Sequence, residues 1–226
     1  MRGRRLQGFK RKLAGLCAAS MLFQSVQCGI TSEELLNPDN PFQDQTEFDG
    51  RVGADLKMGV GSGLTLDATF NPDFGQVEAD PAEVNLSAFP TFFDERRPFF
   101  VENADLLEAN GLFFSRRIGE HPHGSPPGTF TDVPDATTIL GAAKLTGRTS
   151  GGLSIGALGA VTAEESADYF DAGTNEFGQA RVEPATGWLV LRGLQEFGNA
   201  NNALGLAFTG VRRDLSDGDP LALRMN

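Results

Sequence analysis

The sequence predicts an all-β fold of antiparallel hairpins, and three observations support this prediction. Six segments alternate apolar and polar residues with a period of two, as strands with two different faces do. The two members of each consecutive pair are joined by a short turn rich in glycine, serine or asparagine. Between the first and second pairs lies a long segment, residues 71–135, that keeps neither a strand period nor a helix period.

The first hairpin is the strongest secondary-structure signal in the chain. It consists of RVGADLKMGV, the turn Gly61-Ser62-Gly63 and LTLDATF, within residues 51–70. The opposite face of the two strands includes Asp55, Lys57 and Asp67. Their apolar face carries Val52, Ala54, Leu56, Met58, Val60, Leu64, Leu66, Ala68 and Phe70.

Two further hairpins follow the same pattern. The second runs from TTILGAAKLTGR to LSIGALGAVTAE, and the third runs from GWLVLRGLQEF to ALGLAFTGVRRDL. We therefore expect six antiparallel strands that each have one apolar face. In the later strands that face includes Leu153, Ile155, Ala157, Val161, Leu204, Leu206 and Phe208, and the opposite face includes Ser154, Gly156, Ala160, Thr162, Ala203, Gly205, Ala207 and Thr209.

Strand length and the composition of the second face favour part of an outer-membrane β-barrel over a soluble sandwich. Most of the alternating runs last about 8 to 12 residues, close to the roughly 9 to 11 that cross a bilayer at a tilt. The second face has many small residues, and Lys57, Lys144 and Arg192 lie mid-strand on it, as charges in a barrel lumen do. In the alternative, a β-sandwich, the apolar faces of two sheets meet in a core.

The N-terminus has the order of a secretory signal peptide. Residues 1–12 contain six basic residues and no acidic one, and the eleven-residue apolar run LAGLCAASMLF follows. A transmembrane helix needs about 20 apolar residues, so this run is too short to span a bilayer. We expect residues 1–28 to be a signal peptide and residues 29–50 a linker. The alternatives are a lipid-modified Cys28, a miscalled start or an ordinary buried helix. Both cysteines, Cys17 and Cys28, lie in this segment, so no disulfide is expected after it.

The charge balance excludes nucleic acid as a partner. The chain has 19 basic and 30 acidic residues and a formal net charge of −11. After the basic start, 13 basic residues remain against all 30 acidic ones, so the rest of the chain carries about −17. Such a protein repels phosphates rather than displacing their counterions.

Residues 71–135 are expected to form a plug-like, non-strand segment that folds back into the barrel or against its mouth. The sequence NLSAFPTFFDERRPFF within it holds five phenylalanines, each of which buries on the order of 150 to 250 Å². Arginines next to carboxylates favour bidentate ion pairs, which tolerate partial burial. We expect a structural charge network facing the lumen, formed by Asp73, Glu78, Asp80, Glu95, Arg96, Arg97, Glu102, Arg116 and Arg117. Selection of anionic solutes in a pore is the alternative role of the four arginines.

Other chemistry in this segment is less favoured. A calcium site would need an oxygen-rich cluster, and the candidates are Asp73, Glu78, Asp80 and Glu83. Their spacing does not fit an EF-hand, and the neighbouring prolines and glycine explain the cluster as turns. Glu95 with Glu102, or Asp73 with Glu78, are candidate glycosidase carboxylate pairs, and His121 and His123 are a candidate metal pair in the loop HPHGSPPG. No cofactor is expected.

Three motifs resemble consecutive signatures of the DUF5916 family of bacterial proteins. They are NPDFGQVEADPAEVNLSAF at 71–89, ERRPFFVE at 95–102 and LFFSRRIG at 112–119, and the first hairpin matches the strand pair that precedes them. The resemblance implies an exported protein of a Gram-negative outer membrane. In the family, a carbohydrate-binding module of the family 9 type usually precedes a region that looks like an outer-membrane β-barrel, and no reaction is established.

These observations lead to one expectation and one alternative. We expect residues 51–226 to be a partial barrel domain, and the chain to be a fragment, since six strands fall short of the usual minimum of about eight. The expected function is a non-enzymatic outer-membrane β-barrel protein, with membrane lipid and a glycan as partners in glycan binding or uptake. The alternative is a secreted carbohydrate-binding or glycoside-hydrolysing β-sandwich whose acidic segment forms the cleft.

Overall fold

The structure is a computed structural model that describes residues 40–42, 52–72, 94–108, 111–198, 202–215 and 221. Within these residues the chain is all-β, with antiparallel sheets of six and three strands. The all-β prediction is therefore confirmed. Both sheets are open, and no closed barrel is present among the described strands. No helix in the described part is long and apolar enough to cross a membrane.

The elements follow one another in a simple order. The strands are β1 (Ala54–Val60), β2 (Leu64–Phe70), β3 (Phe130–Asp132), β4 (Ile139–Arg148), β5 (Leu153–Thr162), β6 (Glu165–Asp171), β7 (Glu176–Glu183), β8 (Thr186–Phe197) and β9 (Asn202–Arg213). Between β2 and β3, the described residues form the short helix α1 (Pro98–Val101) and two 3-10 turns, Ala104–Leu106 and Ser115–Arg117. The six strands predicted from the period of two are β1, β2, β4, β5, β8 and β9, and all six are confirmed.

The six-stranded sheet is an up-and-down meander with two different ends. Its order is β1-β2-β4-β5-β8-β9, so each strand pairs with the next one of this sheet along the chain. The connections β1–β2, β4–β5 and β8–β9 have three to four residues, and we call their side of the sheet the short-turn end. The connections β2–β4 (71–138) and β5–β8 (163–185) lie at the opposite side, the long-connection end.

The register places the apolar residues predicted for β1, β2, β5 and β9 on one face of the sheet. One row across the sheet is Met58, Leu66, Leu145, Ala157, Leu191 and Phe208. The neighbouring row, which faces the other way, is Lys57, Asp67, Lys144, Leu158, Val190 and Thr209. Because side chains alternate along a strand, these rows define an apolar face and a polar face.

The hydrophobic core lies on the polar face. Phe100, Leu107 and Ile118, from the segment between β2 and β3, pack against five strand residues: Ile139, Ala142, Leu158, Ala160 and Val190. We call residues 94–108 and 111–118 the fold-back segment. In the part of the chain that the structure describes, this aromatic and charged segment packs against the polar face of the sheet. That it lies inside a barrel or against its mouth stays a prediction.

The apolar face is exposed. Phe70, Val161, Leu189, Leu191, Leu204, Leu206 and Phe208 all lie on it, and Leu206 is 78% and Phe208 55% exposed. A sandwich would pack this face against a second sheet. No such interior is found among the described residues.

The three-stranded sheet, of order β3-β6-β7, was missing from the sequence prediction. Strands β6 and β7 form a hairpin that extends the connection between β5 and β8, and β3 pairs with β6. Strand β3 lies within residues 71–135, so the prediction that this range contains no strand is wrong at residues 130–132. Its residues Phe130 and Thr131 are good strand formers, and the edge of β6 supplies their backbone partners.

Candidate functional site

The fold-back segment is held together by an ion pair between Glu95 and Arg97, whose side chains are 14% and 11% exposed. Arg97 donates through Nε to Glu95 Oε1 at 2.8 Å and through Nη2 to Oε2 at 2.7 Å, which is the bidentate fork that guanidinium and carboxylate groups favour. The same guanidinium donates to the carbonyl oxygens of Ile118 at 2.6 Å and Ser115 at 2.8 Å. These contacts join the beginning of the segment to its end.

The Glu95 carboxylate is fully engaged. Ser115 Oγ donates to Oε2 at 2.6 Å, and the backbone N–H groups of Arg96 and Arg97 donate to Oε1 at 3.1 and 3.0 Å. Burial by itself raises the pKa of Glu95, but the hydrogen bonds and charge of Arg97 and the hydroxyl of Ser115 outweigh it, so the net pKa is lowered. Glu95 is therefore a structural carboxylate that stays ionised.

The other predicted arginines also act within the segment. Arg116 Nη1 donates to the carbonyl oxygen of Asp94 at 2.7 Å. The guanidinium of Arg117 lies 5.8 Å from the centre of the Phe114 ring, and that of Arg97 lies 4.3 Å from the centre of the Phe100 ring. Both distances are within the range of cation–π attraction. Each of these contacts joins two residues of the fold-back segment.

Lys144 anchors the fold-back segment to the sheet. Its side chain is fully buried, at 0% exposure, on the polar face of β4. Nζ donates to the carbonyl oxygens of Phe99 at 2.6 Å and Glu102 at 2.5 Å, and it lies 5.0 Å from the centre of the Phe99 ring. Because a buried ammonium must have partners, this lysine fixes where the segment crosses the sheet.

Lys144 belongs to a row of alternating charges across the sheet. Asp67 lies between Lys57 and Lys144 across three adjacent strands, and Lys57 Nζ is 3.7 Å from Asp67 Oδ1. Lys57 also forms an ion pair with Glu102 of the fold-back segment. The hydrogen bond from Lys57 is the main cause that lowers the pKa of Glu102. The sheet and the segment thus share one charge network.

The segment also contacts β5 and β8 through its backbone. Arg192 Nη1 donates to the carbonyl oxygen of Asp105 at 2.9 Å. The 3-10 turn Ala104–Leu106 lies directly over Gly156, where an added Cβ would overlap the carbonyl oxygen of Leu106. Gly156 therefore allows a contact between backbones that a residue with a side chain would block.

A second cluster of charge lies near β7, around His123. Its Nδ1 is 2.9 Å from Glu183 Oε2 and its Nε2 is 3.3 Å from Glu120 Oε1. The Glu183 carboxylate is buried and also accepts the backbone N–H of His123 at 3.0 Å. The hydrogen bond to Glu120, together with Glu183, raises the pKa of His123 from 6.5 to about 9, although burial acts in the opposite direction.

The structure separates the predicted site residues into two sets. Glu95, Arg96, Arg97, Glu102, Arg116 and Arg117 all lie in the fold-back segment. Asp73, Glu78, Asp80 and Glu83 lie outside the described residues. In the described part of the chain, no group of three or more His, Cys, Asp or Glu side chains is arranged to hold a metal ion.

Two of the contacts have no clear signal in the sequence. Glu183 lies 60 residues from His123, and Gly156 is one of many glycines in alternating strands. Lys57, Lys144 and Arg192 are different. They stand out in the sequence as charges in the middle of strands, and the structure gives all three a partner in the fold-back segment.

The comparisons with known proteins give one match. The model of a family described as a domain of unknown function (DUF5916) matches residues 34–220. No curated protein and no solved structure matches the chain.

Proposed function

The chain belongs to the DUF5916 family. From this membership and from the two different faces of the sheet, we propose that the chain forms part of the wall of an outer-membrane β-barrel. In this proposal the apolar face contacts lipid. The polar face lines the lumen and carries the fold-back segment as an internal plug. The protein acts without chemistry of its own, and its place is the outer membrane of a Gram-negative bacterium.

The observation that supports this proposal best is the distribution of charge between the faces. Within the described strands of the six-stranded sheet, the apolar face has one ionisable residue, Arg212, near the long-connection end. A lipid-facing surface requires this bias, because an ionised side chain near the middle of a bilayer costs about 2–4 kcal/mol. The polar face has Asp55, Lys57, Asp67, Lys144, Arg148, Arg192, Glu196 and Arg213.

The two ends of the sheet support the same proposal. Bacterial outer-membrane barrels have short turns on the periplasmic side and longer loops on the outer side. The sheet has this asymmetry, with all three short turns at one end and both long connections at the other. We assign the short-turn end to the periplasm and the long-connection end to the cell exterior.

The position of the core also favours lipid over water at the apolar face. In a soluble protein, the largest apolar surface of a sheet is the one that the chain covers first. Here the fold-back segment covers the face that holds Lys144 and Asp67, while Leu206 and Phe208 are left exposed. The exposure of the apolar face is expected in a bilayer, because lipid then covers that face.

Catalysis by the carboxylate pair is not favoured. A glycosidase needs one carboxylic acid with a raised pKa to protonate the leaving group. The pKa of Glu95 and that of Glu102 are both lowered, and each carboxylate is bound to a cation. We propose glycan binding or uptake as the role of the barrel, on the basis of the carbohydrate-binding module that usually accompanies the family.

Two adjacent residues of β9 provide the test. Phe208 and Thr209 are both exposed and point to opposite faces, so a soluble protein should tolerate Phe208→Arg and Thr209→Arg equally. We expect Phe208→Arg to prevent stable insertion and Thr209→Arg to leave the protein in the outer-membrane fraction with heat-modifiable gel mobility. Equal behaviour of the two variants, or a wild-type protein found in the soluble fraction, would contradict the proposal.

The glycan role has a separate test. The purified protein is titrated with a panel of oligosaccharides, and uptake of the same sugars is compared in cells with and without the protein. Binding or uptake that depends on the protein supports the role. If the protein is in the outer membrane but neither binds nor admits any sugar of the panel, the glycan role is contradicted and the barrel proposal still stands.

A further inference from the structure

The three-stranded sheet places three phenylalanines in one row. In its register Phe130 of β3 lies opposite Phe170 of β6, and Phe170 lies opposite Phe177 of β7. The ring centroids of Phe170 and Phe177 are 4.8 Å apart, and Phe42 contacts Phe177 edge-on, with centroids 6.2 Å apart. Phe177 is nevertheless 68% exposed. Because aromatic side chains gain most from burial, an exposed row of them indicates a binding surface.

The neighbouring row on the same face carries hydrogen-bonding groups. Asp132, Asp168 and Gln179 each lie two residues along their strand from one of the three phenylalanines, so they point to the same side of the sheet. All three are exposed, and Gln179 Nε2 donates to Asp168 Oδ1 at 3.3 Å. An ionised carboxylate only accepts hydrogen bonds, whereas an amide both donates and accepts. An apolar row therefore lies beside a row rich in acceptors.

The opposite face of this sheet packs against the chain itself. Ala167 is buried, and the ring of Tyr169 lies so close to Gly178 that an added Cβ there would be 2.5 Å from it. The loop before β3 approaches the same side chain, since a Cβ added at Gly128 would be 2.7 Å from Tyr169 Cβ. Of the two faces, the one with the phenylalanine row is therefore the one that can meet a ligand.

The chemistry of this face fits a sugar better than a protein or a membrane. The C–H groups on one side of a pyranose ring pack on aromatic rings, while its hydroxyl groups donate to carboxylates beside them. The core of a protein interface is depleted of aspartate, and two carboxylates repel the phosphates of a lipid surface. They repel acidic sugars for the same reason. Because neighbouring strands are about 4.8 Å apart, the row is about 10 Å long, which is the length of a disaccharide.

We propose that this face binds an uncharged oligosaccharide through its phenylalanine row and its polar row: Phe130, Phe170, Phe177, Asp132, Asp168 and Gln179. This inference rests on the proposed glycan role and gives it a site and a class of sugar. The hairpin β6–β7 extends the connection between β5 and β8, at the end of the six-stranded sheet that we assign to the cell exterior. In that orientation a sugar outside the cell reaches this face before it reaches the lumen.

Titration calorimetry with the full chain tests the site. The protein is purified in an amine oxide detergent, because alkyl glycoside detergents carry sugars of their own. The uncharged probes are cellohexaose, maltohexaose, xylohexaose and mannohexaose, and the acidic counterpart is hexagalacturonic acid. We expect at least one uncharged probe to bind and the acidic probe to bind several-fold more weakly.

Substitutions locate the binding on the phenylalanine row. Phe177→Ala should weaken the binding of the sugar about ten-fold or more, as the loss of a stacked aromatic ring does. Since Phe177 is exposed, this variant is expected to fold. The matched control is Phe197→Ala, which removes an exposed phenylalanine at the short-turn end and should leave the affinity unchanged. Asp168→Asn should weaken the binding of the uncharged sugar several-fold and reduce the discrimination against hexagalacturonic acid.

The outcomes separate this site from the proposed function. A sugar that binds Phe177→Ala as tightly as the wild type would overturn the site and leave the glycan role standing. Equal binding of hexagalacturonic acid would overturn the class of sugar. If no uncharged probe binds, the site and the glycan role are both contradicted, whereas membrane fractionation tests the barrel separately. Binding to anionic lipid vesicles that Phe177→Ala abolishes, with sugar binding unchanged, would assign this face to a membrane surface instead.

Discussion

The two faces of the six-stranded sheet come from the same strands but are covered in different ways. The polar face holds Lys144 and Asp67 and is packed under the fold-back segment, whereas the apolar face leaves Leu206 and Phe208 exposed. The difference shows that hydrophobicity alone does not decide which face the chain covers. Directed contacts from the charged residues to backbone carbonyls select the polar face. The apolar face is left for a partner of a different kind.

The largest effect on the covering of the polar face is expected from the ion pair inside the fold-back segment. Replacing Arg97 by alanine removes the positive charge that pairs with Glu95 and the side-chain donor to the carbonyls of Ser115 and Ile118. Breaking a largely buried pair in this way costs about 3–5 kcal/mol. We expect Arg97→Ala to lower the free energy of unfolding by that amount in denaturant titrations. Arg97→Lys should lose less because it keeps the charge. A loss below about 1 kcal/mol for Arg97→Ala would show that the pair does not hold the segment.

The anchor on the sheet should have the next largest effect. Lys144→Met removes the donor to the carbonyls of Phe99 and Glu102, each of which costs about 1–2 kcal/mol when left unpaired. Lys57→Met is the matched control, because Lys57 is half exposed and belongs to the same charge row. We expect about 2–4 kcal/mol for Lys144→Met and less than about 1 kcal/mol for Lys57→Met, measured by unfolding. Equal losses would mean that burial of the lysine does not matter.

The backbone contact at Gly156 gives a smaller effect that distinguishes the faces directly. An added Cβ at Gly156, on the polar face of β5, overlaps the carbonyl of Leu106, whereas at Gly159, on the apolar face of the same strand, the nearest atom is 3.8 Å away. We expect Gly156→Ala to cost about 1–3 kcal/mol and to make the fold-back segment more susceptible to limited proteolysis. Gly159→Ala should have no cost and no effect on proteolysis. If Gly156→Ala leaves the resistance of the fold-back segment to proteolysis unchanged, the segment does not pack over Gly156.

The cluster around His123 predicts an effect of another kind, a dependence of stability on pH. Because the pKa of His123 in the folded protein is raised from 6.5 to about 9, its contribution is fully present below about pH 6.5. The contribution is lost as the pH rises through about 9. The protein has two histidines, so a His121→Gln variant leaves a single imidazole to follow by NMR. We expect that imidazole to titrate near pH 9, and Glu120→Gln to lower its pKa. Titration near 6.5 would show that the carboxylates do not bind it.

The sequence contains most of what determines the sheet. The period of two is a local property, so RVGADLKMGV and LTLDATF identify their own strands, and their apolar faces fall on one side of the sheet. Even the mid-strand charges Lys57 and Lys144 indicate a face that is not simply solvated. The combination of phenylalanine and arginine predicts a segment that folds back, and its place inside a barrel or at the mouth stays a prediction.

Long-range contacts were harder to predict. Strands β6 and β7 mix charged, aromatic and small residues on both faces, so no clear period separates them from a loop. Glu183 meets His123 only because the hairpin β6–β7 brings it back beside the loop at 120–124. The role of Gly156 depends on a turn about 50 residues earlier in the chain. None of these contacts leaves a pattern within a short stretch of sequence.

The environment of alternating residues along β9 tests the central claim most directly. Spin labels are attached to single cysteines at 203–209, in a protein that lacks Cys17 and Cys28, and their collisions with oxygen and with a water-soluble nickel complex are measured in bilayers. The account predicts that labels at 204, 206 and 208 collide with oxygen and are shielded from nickel, and that labels at 203, 205, 207 and 209 show the reverse. Accessibility without this alternation, or nickel access at 204, 206 and 208, would contradict it.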